Sequence, residues 1–445
     1  MSTASEPFAA PAAARSSAAL SAVGPLVCRT VEIADPGPLL ALLPPGAVAA
    51  WVRRGEGLVG YGECLRLQVG SASAFGEIAR AWADLSVHAV VRDEVAVPGS
   101  GPVAFVSFPF SPRSPAGATL VVPSTVVGHR DGRWWLTTSS AGELPGANVQ
   151  DIGPRSPAPD PGPVRYADGA RSGPQWLGAV REAVQRISDG TLDKVVLARD
   201  LEAVAQEPVD PRFLLGRLAD GYPSCWTFSV DGLVGATPEL LVRCERGLVT
   251  SRVLAGTIRR TGDDEHDLTL AASLARSSKD LEEHEYAVRS VADALAPHCA
   301  SMNVPESPFV LHLPNVMHLA TDVTGVLPRS TQSSGSSAGS APTVLQLAAA
   351  LHPSAAVCGT PTPAAATLID ELEGMDRDRY AGPVGWVDAN GDGELGIALR
   401  CARQDAQDRR RLRLFAGCGI VAGSDPQAEL AESDAKLVPM RDALG

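Results

Sequence analysis

Apolar residues recur along this chain in two rhythms, and the balance between them changes near residue 170. Up to about Arg165, short apolar runs (Val48–Val52, Ala104–Phe108, Leu120–Val122, Trp134–Leu136) alternate with turn residues, the pattern of β-strands. One stretch among them, Ala72–Ala83, reads as helical. No cluster of titratable groups interrupts this portion, so 21–165 is expected to be a strand-rich scaffold subdomain. Residues 1–20 read as a disordered tail and Pro154–Pro163 as a Pro-rich linker. From Ser172 the rhythms interleave. Trp176, Val180, Ala183, Val184 and Ile187 stand at helical spacing, and LDKVVLARD then reads as a strand. Further strands, a long helical region over Asp263–Ala296 and helices at Val344–His352 and Pro363–Gly374 follow.

Candidate chemistry lies in this second region. Lys194 shares a strand face with Val196 and Ala198. It is either an edge-strand gatekeeper or a desolvated amine, whose pKa of ~10.4 burial can lower far enough for general-base work. Glu239 follows Pro238 at a turn. It is either exposed or held in an apolar pocket, where its pKa would rise and let it act as an acid. Ala255–Thr257 offers a glycine-mediated approach to backbone. Glu283 shares a helix face with Ala287, Ser290 and Ala294, small residues amid crowded charge. A single histidine such as His318 in a strand would ordinarily be structural. Arg329–Thr343 is Ser/Gly-rich and reads as a surface loop.

The C-terminal stretch is the most suggestive. YAGPVGWVDANGDGELGIALRCA reads as a hairpin, with Arg400 placed on a strand face beside Gly396 and Ala398, a lone cation among small residues. Another strand runs into glycines at RLFAGCGIV, and a helix starts at Ser424 or Asp425. On it Glu429, Glu432 and Lys436 fall at i, i+3 and i+7, one face; such a face is ordinarily solvated. Asp388, Asn390, Asp392 and Gly393 imitate the start of a calcium loop, but its twelfth position holds Leu399, not glutamate.

Composition removes several alternatives. With 445 residues, 45% hydrophobic and 20% charged, and a mean hydropathy of +0.04, this is a folding chain. No apolar run approaches the roughly 20 residues of a membrane span. A net charge of -13 argues against nucleic-acid or anionic-membrane partners, so an anionic substrate needs local cations or a metal. Eight cysteines without CxxC spacing read as small buried hydrophobes in a reducing cytosol.

Together the blocks LDKVVLAR, GATPELLVR, LAGTIRR, SSKDLEEHEYAV, VMHLATDVTG, LHPSAAVCGTP, YAGPVGW, ALRCA, RLFAGCGIV and AELAESDAKL resemble, in order, those of the chorismate-utilising enzymes, and among these the isochorismate synthases. The resemblance covers Ser172–Leu437. It implies an α/β protein of two large, mostly antiparallel sheets packed face to face with helices outside, and a catalytic, chorismate-binding region over 172–440. It implies Lys194 as the general base that activates water and Glu239 as the general acid. Glu283 and Glu432 would bind Mg²⁺, with Glu429 assisting. Arg400, Tyr380 and backbone around Gly417 would hold the enolpyruvyl carboxylate, and Gly256, Thr257, His318 and Lys436 would line the pocket. The implied protein is a cytoplasmic isomerase, monomer or homodimer, whose partner is chorismate and whose product enters menaquinone or siderophore synthesis. The lysine at 194 points to water and not ammonia as nucleophile. A salicylate synthase is the alternative, although salicylate synthases tend to have Phe where His352 stands. Ser354 in place of the usual Thr, and Asp378 in place of the usual Gly, are departures from the pattern.

Overall fold

The computed structural model describes residues 24–70, 72–142, 152–328 and 341–445. The expected tail and most of the Ser/Gly-rich run lie outside them. Strand patterns condense into two sheets, of thirteen and ten strands. Ladders are antiparallel apart from the parallel pair Leu26–Ile33 and Val90–Asp93. Strands from the first 165 residues extend both sheets: Val48–Arg53 pairs with Trp226–Val230, and Val103–Ser107 with Pro383–Asp388. The expected α/β architecture with two large, mostly antiparallel sheets is present.

The sheets are joined by a core that includes Trp51, Phe105, Leu197, Leu395 and Phe415, where each fully buried large side chain contributes about 1.5–3 kcal/mol. A polar tie runs through it. Trp51 and Trp226 of one sheet both donate Nε1–H to Oε2 of Glu394 in the other, each at 3.0 Å. Arg130 and Arg243 neutralise that carboxylate, each at 3.1 Å.

Two adjacent antiparallel chain segments pass from sheet to sheet. Leu233–Thr237 belongs to the larger sheet and, after Pro238 and Glu239, the chain continues as Leu240–Glu245 of the smaller. Alongside, Gly393–Ile397 of the smaller sheet leads through 398–400 into Cys401–Gln404 of the larger. Backbone bonds hold the corner, Ala236 N–H to Arg400 O at 3.2 Å and Ile397 N–H to Glu239 O at 3.1 Å. Arg400 is therefore not on a continuous strand face, as its alternating neighbours suggested. It sits in the crossing with φ of 48°, a conformation uncommon outside glycine.

Two other expectations change. The helical region 263–296 is two helices, Asp264–Leu274 and Ser278–Leu295, because Ser277 caps the second by accepting from Asp280 N–H. Lys194 is not an edge gatekeeper. Its strand, Lys194–Ala205, lies between Arg411–Ile420 and, at its first residues, Gly359–Thr360, and the lysine is 0% exposed.

Candidate active site

A cavity of ≈ 290 Å³ lies where strands of both sheets meet helices Ser278–Leu295 and Pro426–Leu444. Glu239, Gly256, Thr257, Glu283, His318, Tyr380, Arg400, Gly417, Glu429, Glu432 and Lys436 line it. Lys194 reaches the same place from below: Val196 of its strand face lines the cavity, and its Nζ lies 2.9 Å from Oε1 of Glu283. A larger groove of ≈ 730 Å³ includes Arg66, Asp231 and Arg403. There Asp231 pairs with Arg66 and Arg379, and Arg403 with Asp231 O and Asp378. Arg66, Asp231 and Arg403 are thus already paired, so the smaller cavity is the better candidate for an anionic ligand.

The local sequence explains how each group gets there. Lys194, Val196 and Ala198 face upward on one strand, and register places Gly419 opposite Val196 and Gly417 opposite Ala198. A side chain at 419 would collide with Glu283, so glycine there leaves room for the lysine–glutamate contact. Gly256, at φ +75°, forms the bulge that shifts the register between Ala255 and Thr257 and sets Thr257 beside His318.

Electrostatics separate the groups into roles. Glu239 is 4% exposed; burial pushes its pKa up to about 8, with Arg400 and Lys194 pulling the other way. It holds its proton near neutrality and can donate it. His318 receives Arg400 Nη2 on Nε2 at 3.2 Å and meets Thr257 Oγ1 through Nδ1 at 3.1 Å. A guanidinium can only donate, so Nε2 accepts and the imidazole proton resides on Nδ1. Burial, then Arg400 and Lys436, hold this histidine well below its ordinary pKa, and it is neutral. Lys436 donates to Gly417 O at 3.0 Å and pairs with Glu432 at 2.6 Å. Burial is the largest single influence and opposes its charge, but Glu432 and Cys418 together tip the balance and its pKa is raised. The Tyr380 ring stacks on Phe415 at 5.1 Å, and burial keeps its hydroxyl protonated.

Oxygen donors gather at one end. One oxygen each of Glu429 and Glu432 lies within 4.8 Å of the other and of Cys418 Sγ. Glu283 lines the same cavity but is outside that trio, on the Lys194 side. Glutamates around a cavity are a donor set that fits a hard divalent cation.

Sequence reading missed Arg377. It lines the cavity wall and is 3% exposed. Its guanidinium grips Glu373, donates to Val357 O at 2.9 Å and Val196 O at 2.6 Å, and lies over the Phe110 ring at 4.1 Å. Glu373 in turn accepts from Ala198 N–H at 2.7 Å. This pair satisfies Val196 O and Ala198 N–H on the strand that carries Lys194. The helix Thr362–Glu373 ends at Gly374, before Arg377, so no helical spacing announced the pair. His352 lies outside the cavity lining, with Nε2 3.0 Å from Phe110 O.

The family model for chorismate binding enzymes matches residues 49–445. The chain is 40% identical over 281 residues to isochorismate synthase DhbC of Bacillus subtilis, covering 61% of this chain and 67% of that one. It is 33% identical over 410 residues to the salicylate biosynthesis isochorismate synthase of Pseudomonas aeruginosa, covering 86% and 82%. The crystal structure of DhbC from Bacillus anthracis superposes with a TM-score of 0.73 at 31% identity, covering 92% of this chain and 98% of that one. Matched over residues 49–445, this chain belongs to the family of chorismate binding enzymes.

Proposed function

We propose that this chain is an isochorismate synthase, converting chorismate to isochorismate by adding water at C2 and releasing the C4 hydroxyl. The observation that carries the reading is the meeting of Lys194 and Glu239 at one cavity, the first from a strand floor and the second from a sheet crossing. Lys194 takes a proton from water as the new C–O bond forms at C2. The ring double bond shifts, the C4–O bond breaks, and Glu239 gives the departing oxygen its proton. Atoms balance as an isomerisation: Lys194 then gives up the proton it gained and Glu239 regains the one it lost, by exchange with solvent. An acid and a base working on opposite sides of the ring relieve the poor nucleophilicity of water and the poor leaving ability of hydroxide.

The substrate is a dianion, so each carboxylate needs a counter-charge. Arg400, steadied by His318, and Tyr380 hold the enolpyruvyl carboxylate near Gly417, with Lys436 adding positive charge. Glu283 and Glu432 would hold Mg²⁺, with Glu429 through water; when bound, the ion neutralises the ring carboxylate and fixes the ring's position. Gly256 and Thr257 complete the wall. No helix among the described residues is long and apolar enough to cross a membrane, and a cytoplasmic enzyme feeding menaquinone or siderophore synthesis is the reading we favour.

The test is incubation with chorismate and Mg²⁺, with and without chelator, followed by chromatographic separation. Metal-dependent accumulation of isochorismate alongside chorismate is expected. Salicylate with pyruvate would assign the chain to the lyase-active relatives, and no turnover would overturn the enzymatic reading.

A further inference from the structure

The helix that carries Glu429, Glu432 and Lys436, Pro426–Leu444, is held in two different ways along its length. From Ala435 onward it is packed: Ala435, Leu437, Met440, Ala443 and Leu444 share a core cluster with Leu313 and Val316. Before Ala435 its buried side chains are Glu429 and Ser433, both polar. Glu429 and Glu432 therefore lie in the half that apolar packing does not fix, and Lys436 lies at its edge. Pro439 separates the two halves. It stands inside the helix, has no N–H to give to the carbonyl four residues back, and its ring crowds that carbonyl. The carbonyl is that of Ala435, next to Lys436. Asn315 supplies the missing donor, with its Nδ2 at 2.8 Å from Ala435 O.

Bonds to the larger sheet hold the same half: Arg199 donates to Ser433 Oγ at 3.2 Å and to Asp434 Oδ1 at 2.8 Å, and Lys436 donates to Gly417 O at 3.0 Å. Asn315 comes from the other side. It directly precedes the strand Val316–Val326 of the smaller sheet, and its own carbonyl accepts from Arg260 N–H at 3.1 Å. His318, which receives Arg400, stands on that same strand. One amide side chain thus joins the frame of His318 and Arg400 to the helical turn of Glu432 and Lys436. We propose that Asn315 is a positioning residue: by satisfying the carbonyl that Pro439 leaves without its helical donor, it sets the place of Lys436 and Glu432 relative to Arg400. The proposal rests on reading those side chains as the anion and cation site. Asn315 is not among the residues lining the cavity, so it acts through the helix. Without the amide, a buried carbonyl lacks its partner, a costly state that turning or fraying of the helix relieves. Successive helical residues stand ~100° apart, so even a modest turn takes Glu432 and Lys436 off the cavity face.

The experiment compares Asn315→Ala, the nearly isosteric Asn315→Asp, Pro439→Ala and the double variant Asn315→Ala/Pro439→Ala, in the full chain and well below each melting temperature. Asn315→Ala and Asn315→Asp should each raise KM for chorismate about tenfold while kcat stays within about threefold. Both should also speed amide hydrogen exchange over residues 429–437 of the metal-free protein by about tenfold. Pro439→Ala returns a backbone N–H to Ala435 O. In that background Asn315→Ala should change KM and exchange by less than about twofold. Equal losses in the two backgrounds overturn the link through Ala435 O. Unchanged KM and exchange in both single Asn315 variants, with a lowered melting temperature as the sole effect, make Asn315 merely structural and leave the enzymatic reading standing. Wild type that leaves chorismate unconverted overturns the enzymatic reading itself, and the positioning role with it.

Discussion

Arg400 donates a hydrogen bond to Nε2 of His318 across 3.2 Å, and that bond obliges the histidine to be neutral with its proton on Nδ1. The guanidinium sits on a crossing between sheets and lacks a strand ladder of its own to orient it, so the imidazole acts as its rest. His318→Gln keeps an acceptor near Nε2, whereas His318→Leu removes it. We expect KM for chorismate to rise about tenfold in the leucine variant, the equivalent of roughly 1.4 kcal/mol, and to stay within about threefold of wild type in the glutamine variant. Equal losses in steady-state kinetics would show that His318 does not work through Arg400.

The Glu239 carboxyl, with its pKa pushed up to about 8 by burial, predicts two pH effects of known sign. Turnover needs the protonated form, so kcat should fall as pH rises through about 8. The unfolded carboxyl titrates near ~4.3. The stabilisation from the neutral buried group is therefore complete below that value and lost as pH rises through about 8. Calorimetry should find that the melting temperature of wild type drops more between pH 5 and 9 than that of Glu239→Gln, which is also expected to be inactive. Parallel melting curves would place Glu239 in water.

Lys194→Met should lower turnover at least about a thousandfold, within the range for loss of a general base, while chorismate binding measured by calorimetry changes little. The variant also removes from Glu283 the Lys194 nitrogen that stands 2.9 Å from its Oε1. Loss of binding together with the fold would make Lys194 a structural cation.

Lys436→Gln should move two affinities in opposite directions. Removing the ammonium at 2.6 Å from Glu432 is expected to tighten Mn²⁺ in the absence of substrate by about tenfold, because two like charges no longer compete for one carboxylate. Chorismate binding should weaken. Mn²⁺ affinity that falls in the variant would contradict the placement of the cation beside Glu432.

The buried pair Glu373–Arg377 predicts non-additivity. Arg377→Met alone leaves Glu373 charged and buried and should cost about 3–5 kcal/mol of stability. The double variant Arg377→Met/Glu373→Leu should recover much of that in denaturant unfolding. Even if stability recovers, turnover should remain reduced, because Val196 O and Ala198 N on the strand of Lys194 lose their side-chain partners.

Much of this protein was legible without coordinates. Strand and helix runs announced themselves through side-chain period, since the backbone repeat alone decides which residues share a face. The face Glu429, Glu432 and Lys436, the strand face of Lys194 and the glycines at 417 and 419 were readable for that reason, and ordered motif blocks carried the family. What the period could not tell was where a strand stops being a strand. Alternation continues from Leu395 to Cys401, yet the chain leaves one sheet at Ile397 and enters the other at Cys401; the pattern is the same on both sides of the corner. Only the packed sheets decided that Glu239 is buried and acidic at pH 7, that Arg400 rests on His318, that Lys194 faces Glu283, and that Arg377 bonds Val196 O on the strand of Lys194. Each of these depends on desolvation or on a partner supplied by a distant segment, quantities that come into being when the two sheets meet.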